Sequence, residues 1–146
     1  MKRIKDEGHE MGNHLIADEP SWKLSSSEFE RHLLECDETL TSFGAFENRT
    51  RPYKWMRPGS GFFTGNMKKI CEKLGYKIAL GNVYPHDPQV PIAWINARFV
   101  VNRARPGSIV IIHDRSWTIP ALENILLHLK QKEKFQFVTL SELDSM

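Results

Sequence analysis

Apolar positions recur along this chain at two spacings, and the alternation between them lays out its elements. Phe29, Leu33, Cys36, Leu40 and Phe43 fall at steps of three and four, the period of a helix buried along one stripe. Ser25 stands three positions before Glu28 ahead of that stripe, the spacing of a capping box, and Gly44 closes it. His32 lies one position off the stripe and is expected on its solvated flank. Met67, Ile70, Cys71 and Leu74 repeat the helical spacing between Thr64, a capping residue, and Gly75, a stop. Two further helices are predicted over Ile92–Arg103, with Ile95 and Phe99 inward, and over Thr118–Lys132, with Leu122, Ile125, Leu126 and Leu129 inward. A last helical turn at Lys2–Glu7 ends at Gly8.

Between these helices lie short strand-like runs at His9–His14, Tyr53–Arg57, Tyr76–Leu80, Ser108–Ile112 and Phe135–Val138. The run at Ser108–Ile112 is almost wholly apolar and β-branched, as in a parallel strand covered on both faces. Strands alternating with helices predict an α/β fold with mostly parallel strands and outer helices. Pro20 places His14–Asp18 on a loop rather than a helix, because a residue before proline is pushed out of helical geometry.

At 146 residues, residues 1–146 read as a single domain, long enough to bury about 68–70% of the unfolded chain's surface. A hydrophobic content of 40% with 26% charged residues is that of an ordered globular chain. The net charge of +2 comes from balanced signs without a basic block, so nucleic acid is not an expected partner. No apolar run reaches the roughly 18 residues of a membrane span. The acidic stretch Asp6–Glu10 follows the basic start where a signal peptide needs an apolar core, so the chain as written reads as cytoplasmic. Cys36 and Cys71 sit in separate helical patterns and read as two buried free thiols.

Polar residues gather where the strands end, which is where α/β folds place their sites. His14 and Asp18 follow the first run, and both imidazole and carboxylate suit zinc. Arg57-Pro58-Gly59-Ser60-Gly61 follows the second run, His86-Asp87 the third and His113-Asp114 the fourth. An imidazole beside a carboxylate directly after a buried strand can be fixed in tautomer for acid–base work.

These segments resemble the polysaccharide deacetylases, also called the NodB-homology domain or family-four carbohydrate esterases. Gly8-His9-Glu10-Met11-Gly12-Asn13-His14 is similar to the family's second motif, and Arg57-Pro58-Gly59-Ser60-Gly61 to its third. Tyr84-Pro85-His86-Asp87-Pro88 stands at the place of the fourth, Ile111-Ile112-His113 resembles the fifth, and Phe137–Leu143 resembles the closing segment. The resemblance implies an incomplete, distorted (β/α) barrel whose open parallel edge could pair with another copy. It implies metal-assisted hydrolysis of N- or O-acetyl groups on a polymeric sugar such as chitin, peptidoglycan or xylan. His113 would then protonate the departing amine, Arg57 would orient the base and Asp87 would tune His113. His14 and Asp18 would hold a divalent metal, zinc by family habit. The sugar would lie on Pro58, Gly59, Ser60 and Tyr84, and His14, Asp18, Arg57, Asp87 and His113 would point into one cleft.

The chain departs from the family where the family opens. No Asp-Asp pair occurs in the sequence, although such a pair supplies the family's base and one metal ligand. Asp18 stands where the family's second histidine ligand belongs. The chain therefore reads as a shortened form of a longer parent, binding zinc weakly and releasing little or no acetate. Two other readings follow: a silent remnant that binds carbohydrate or a partner through exposed Trp and Tyr side chains, and a hydrolase that recruits another carboxylate such as Asp6.

Overall fold

The computed structural model describes residues 2–47 and 52–146. Across the span read as one domain, the chain forms two compact units, Met1–Leu80 with Thr139–Met146, and Gly81–Val138.

The first unit is built around helix α2 (Ser26–Ser42) and a parallel pair of short strands, β1 (Lys54–Met56) and β2 (Tyr76–Ile78). Ser25 caps α2 reciprocally with Glu28, so two backbone N–H groups at that end gain acceptors. Helix α3 (Gly65–Lys73), capped by Thr64, crosses between the strands. Lys54, Trp55 and Met56 pair in register with Tyr76, Lys77 and Ile78. The core joins Leu15, Phe29, Leu33, Met56, Met67, Cys71 and Tyr76. Each such side chain contributes about 1.5–3 kcal/mol when taken from water. Helix α1 (Lys2–Asp6) stops at Gly8, whose φ of +77° lets His9 N–H return to the Ile4 carbonyl.

The chain's last turn belongs to this unit as well. Short helix α6 (Leu140–Leu143) is held by Trp55, whose indole N–H donates to Ser141 Oγ at 2.9 Å. Asp144 accepts from the Tyr53 hydroxyl and pairs with Lys77.

In the second unit, α4 (Ala93–Arg103) packs on α5 (Thr118–Leu126), which continues as a π-helical segment, Leu127–Lys132. Val83, Ala97, Val100, Ala104, Ala121, Ile125 and Leu129 form its core.

Several expectations change here. Only Asn13 of the His9–His14 run pairs, through one parallel bridge to Met56. Ser108–Ile112 is half-buried and makes a single parallel bridge, Val110 to Val83, so it is not a strand covered on both faces. Phe135–Val138 forms no ladder, and Phe137 is exposed. β-propensity marks a fit to a sheet, but a strand exists only where a neighbour supplies hydrogen bonds. Leu122 and Leu126 lie on the outer side of α5, because the buried stripe runs through Ala121, Ile125 and Leu129. On α4 the buried positions are Asn96, Ala97 and Val100, leaving Ile95 and Phe99 half-buried. His32 is buried rather than solvated, with Glu19 Oε1 at 4.0 Å from its Nδ1, because the segment before Ser21 covers that flank of α2. Cys71 is fully buried as expected, whereas Cys36 is half-buried. Burial pushes the Cys71 thiol up to about 11.

Candidate active site

In the first unit the site is assembled by Asn13. Its backbone N–H donates to the Trp55 carbonyl at 2.8 Å, and its carbonyl accepts from Arg57 N–H at 2.9 Å. These bonds lay the segment alongside β1, so His14 and Arg57 emerge at the same end. The Asn13 side chain is almost wholly buried and donates to the Leu33 carbonyl at 2.9 Å. Its Oδ1 accepts from Leu15 N–H at 2.9 Å, closing the turn in which Leu15 takes a φ of +64°. The chain then loops back, bringing Asp18 Oδ1 to 3.6 Å from His14 Nε2.

The His14 ring is engaged at both nitrogens. Nδ1 lies 2.6 Å from the Arg57 carbonyl, and Nε2 lies 2.8 Å from the Arg57 guanidinium. Only the neutral ring with its proton on Nδ1 satisfies both contacts, since a carbonyl must accept and a guanidinium must donate. Pro58, Gly59 and Ser60 form the turn beyond Arg57. Gly59 N–H donates to the buried Ser21 hydroxyl at 2.6 Å. A Cβ at Gly59 would lie 1.9 Å from the Glu19 carbonyl oxygen, so only glycine fits this crossing of two loops. Ser60 is exposed with a φ of +60°.

A metal at this place would meet part of what it needs. His14 is oriented through Nδ1 by a backbone carbonyl, as metal-binding histidines are. Asp18 is the second donor, but it is 70% exposed. Among the described residues no three His, Cys, Asp or Glu side chains come together as a metal site. Catalytic zinc uses three protein ligands, so the described residues do not fit a resident catalytic zinc.

The second unit carries a different arrangement. Asp87 is buried to 1% exposure and accepts twice from one residue: from His113 N–H at 2.7 Å and from the His113 ring Nδ1 at 3.0 Å. The carboxylate therefore fixes the tautomer with Nδ1 protonated and leaves Nε2 as the atom that can exchange a proton. Trp117 Nε1–H donates to the Asp87 carbonyl at 2.9 Å, and Thr118 Oγ1–H to the His113 carbonyl at 2.5 Å. Tyr84 stacks beside both histidines, 4.4 Å from the His86 ring and 5.7 Å from the His113 ring. His86 takes a φ of +59°, and its carbonyl accepts from Val90 N–H at 2.9 Å, closing the turn that carries Asp87.

The structure thus brings together His14, Asp18 and Arg57 in one unit and Tyr84, Asp87 and His113 in the other. The carboxylate that holds His113 is Asp87; Asp114, its neighbour in sequence, is exposed. Asn13, Ser21 and Trp117 are positioning residues that sequence reasoning passed over. Asn13 was visible inside the quoted motif, but nothing local marks a side chain whose partners lie 20 and 63 positions away. A cavity of about 370 Å³ also opens in the first unit, lined by His9, Glu10, Trp55 and Ser141 among others. It lies at the amino ends of the parallel segments, and its Glu10 is already bonded to Ser141.

A profile of the polysaccharide deacetylase family matches residues 1–79. A peptidoglycan-N-acetylglucosamine deacetylase of Bacillus cereus is 31% identical over 153 aligned positions, covering 98% of this chain and 67% of that protein. A second B. cereus protein of the same name is 26% identical, with 98% of this chain and 52% of that protein covered. The crystal structure of a CE4 family pseudoenzyme from Bacillus anthracis superposes with a TM-score of 0.84 at 27% identity, covering 97% of this chain and 48% of that one.

Proposed function

The chain belongs to the polysaccharide deacetylase family, and from that premise we propose that it is a deacetylase-like module for acetylated polysaccharide, weak or silent as a catalyst in this form. The single observation that carries the proposal is the pair of hydrogen bonds that His113 donates to the buried Asp87 carboxylate. In acetamide hydrolysis a water oxygen joins the acetyl carbon, the carbon–nitrogen bond breaks, and the departing nitrogen must gain a proton. His113 Nε2 is the donor in this reading, with Asp87 holding the ring and stabilising its charged form. Pro58, Gly59 and Ser60 in the first unit and Tyr84 in the second are each assigned to sugar contact in this reading, and the peptidoglycan type of N-acetylglucosamine polymer is the first substrate to test. The parallel segments are read as part of a distorted (β/α) barrel, and an unpaired parallel edge there offers a route to self-association.

A second reading, a module that binds acetylated carbohydrate without hydrolysing it, is favoured by the donor count at His14. Two donors, one of them an exposed aspartate, fall short of the family's metal-dependent water activation. A solved relative described as a pseudoenzyme supports the same direction. Acetate release and equilibrium binding with N-acetylated glucosamine oligomers separate the two. We expect saturable binding that prefers acetylated over deacetylated oligomer and falls with Tyr84→Ala, together with little or no acetate release. Acetate release abolished by a chelator, restored by zinc and lost in His113→Ala would instead establish an active enzyme. Absence of any preference for the acetylated oligomer, without turnover, would remove both readings.

A further inference from the structure

We infer that Asn96, a buried residue of α4 that takes no part in the proton transfer, is the positioning residue for the Asp87–His113 pair. Its bearing on catalysis rests on the reading of His113 Nε2 as the proton donor, whereas the placement of Asp87 stands apart from that reading. Asn96 is 1% exposed, and its Nδ2–H donates to the Val90 carbonyl at 2.8 Å. Val90 N–H in turn donates to the His86 carbonyl at 2.9 Å, and Gln89 N–H donates to the same oxygen at 3.0 Å. Gln89 Oε1 accepts from the Tyr84 hydroxyl at 3.2 Å. One amide therefore ends a chain of bonds that runs from α4 to the turn carrying Tyr84, His86 and Asp87.

That turn is tied before, within and after. Ile111 N–H donates to the Val83 carbonyl at 2.9 Å, Trp117 Nε1–H donates to the Asp87 carbonyl at 2.9 Å, and Asn96 holds the far end. His86 needs such restraint, because its φ of +59° is unfavourable for a residue with a Cβ. Released at Val90, the backbone can relax at His86, and the Asp87 carboxylate beside it loses its aim. The other half of the amide argues against a role in stability. Asn96 Oδ1 is buried without a hydrogen-bond partner among the described residues. An orphaned buried acceptor costs as much as one hydrogen bond gains, or more. The amide thus adds little net stability, and what it supplies is the fixed direction of one bond.

The test uses the whole chain without substrate. It reads the His113 ring nitrogens by NMR in mildly alkaline buffer, together with hydrogen exchange of the His113 backbone N–H. In the parent chain the ring carries its proton on Nδ1, and the backbone N–H is protected by Asp87. Asn96→Ala removes the amide, and Asn96→Val refills most of its space without a polar atom. Either variant should turn the single tautomer into a mixture with the Nε2–H form and speed exchange of the His113 N–H by about tenfold or more. The urea midpoint should fall by less than it does in Asp87→Ala, since one orphaned acceptor leaves with the amide. An unchanged tautomer with exchange within about twofold of the parent, in either folded variant, overturns the inference. So does a midpoint that falls as far as in Asp87→Ala, or loss of folding in both variants, because Asn96 would then serve the core. No substrate enters these measurements, so failure of acetate release or sugar binding leaves the inference standing. Its own failure leaves the deacetylase-like reading standing, because the bonds between His113 and Asp87 are present in either case.

Discussion

The two histidine groups of this chain are held by opposite means. His113 is fixed by a carboxylate with 1% exposure, which also takes up a main-chain N–H. His14 is fixed by a main-chain carbonyl and a guanidinium, and the carboxylate beside it, Asp18, is 70% exposed. A buried acceptor leaves its donors stranded if removed, whereas an exposed one is replaced by water. The contrast teaches that one histidine can be structurally committed while another stays adjustable. One group is part of its unit's architecture, and the other is a surface arrangement resting on a rigid backbone.

Removing Asp87 should break the comparison most severely. Asp87→Ala strands the His113 N–H and its ring donor, at about 3 kcal/mol in total by the cost of unsatisfied buried groups. A clear fall in the urea midpoint is expected, and Asp87→Asn should recover part of it. A midpoint unchanged within error would mean that water replaces the carboxylate, and the buried character of the second group would have to be abandoned.

The core beneath His14 can be probed through its buried thiol. Cys71 lies in the first unit's core with its thiol pushed up to about 11 by burial, so at pH 8 its thiolate is scarce. Alkylation in the native state should run roughly two orders of magnitude slower than for a free thiol, from the loss of thiolate alone. The raised value means that reactivity increases as pH rises toward 11, and mass spectrometry across pH 7–10 reads this directly. Rapid labelling of Cys71 at pH 7 would show that the first unit opens readily and that His14 does not rest on a rigid base.

The smallest effect is expected at Asp18. Asp18→Ala removes an exposed pairing with His14 and should change stability by no more than about 0.5 kcal/mol. A loss comparable to that of Asp87→Ala would erase the distinction between the groups.

Helices were legible because their hydrogen bonds close within the segment. Ser25 and Glu28, Thr64 and the glycines at 8, 44 and 75 mark ends that depend on neighbours a few positions away. The loop character of His14–Asp18 was legible for the same reason, from Pro20. The quoted motifs likewise pointed to a family in which the chain now stands.

What the sequence by itself determined, then, is the order of helices, their caps and the identity of the polar residues at strand ends. The family resemblance already set Asp87 beside His113, and tertiary structure decided the geometry by which these polar residues meet. His113 takes Asp87, 26 positions back, in preference to the adjacent Asp114, because backbone geometry turns a sequence neighbour away while a turn at His86 delivers the distant one. Arg57 covers His14 across 43 positions because Asn13 ties their strands side by side. The apolar runs at 108–112 and 135–138 became a single bridge and an unpaired segment, since a strand borrows its hydrogen bonds from a neighbour. Local bonds are written in the spacing of residues, whereas bonds between distant segments exist only once the chain has folded.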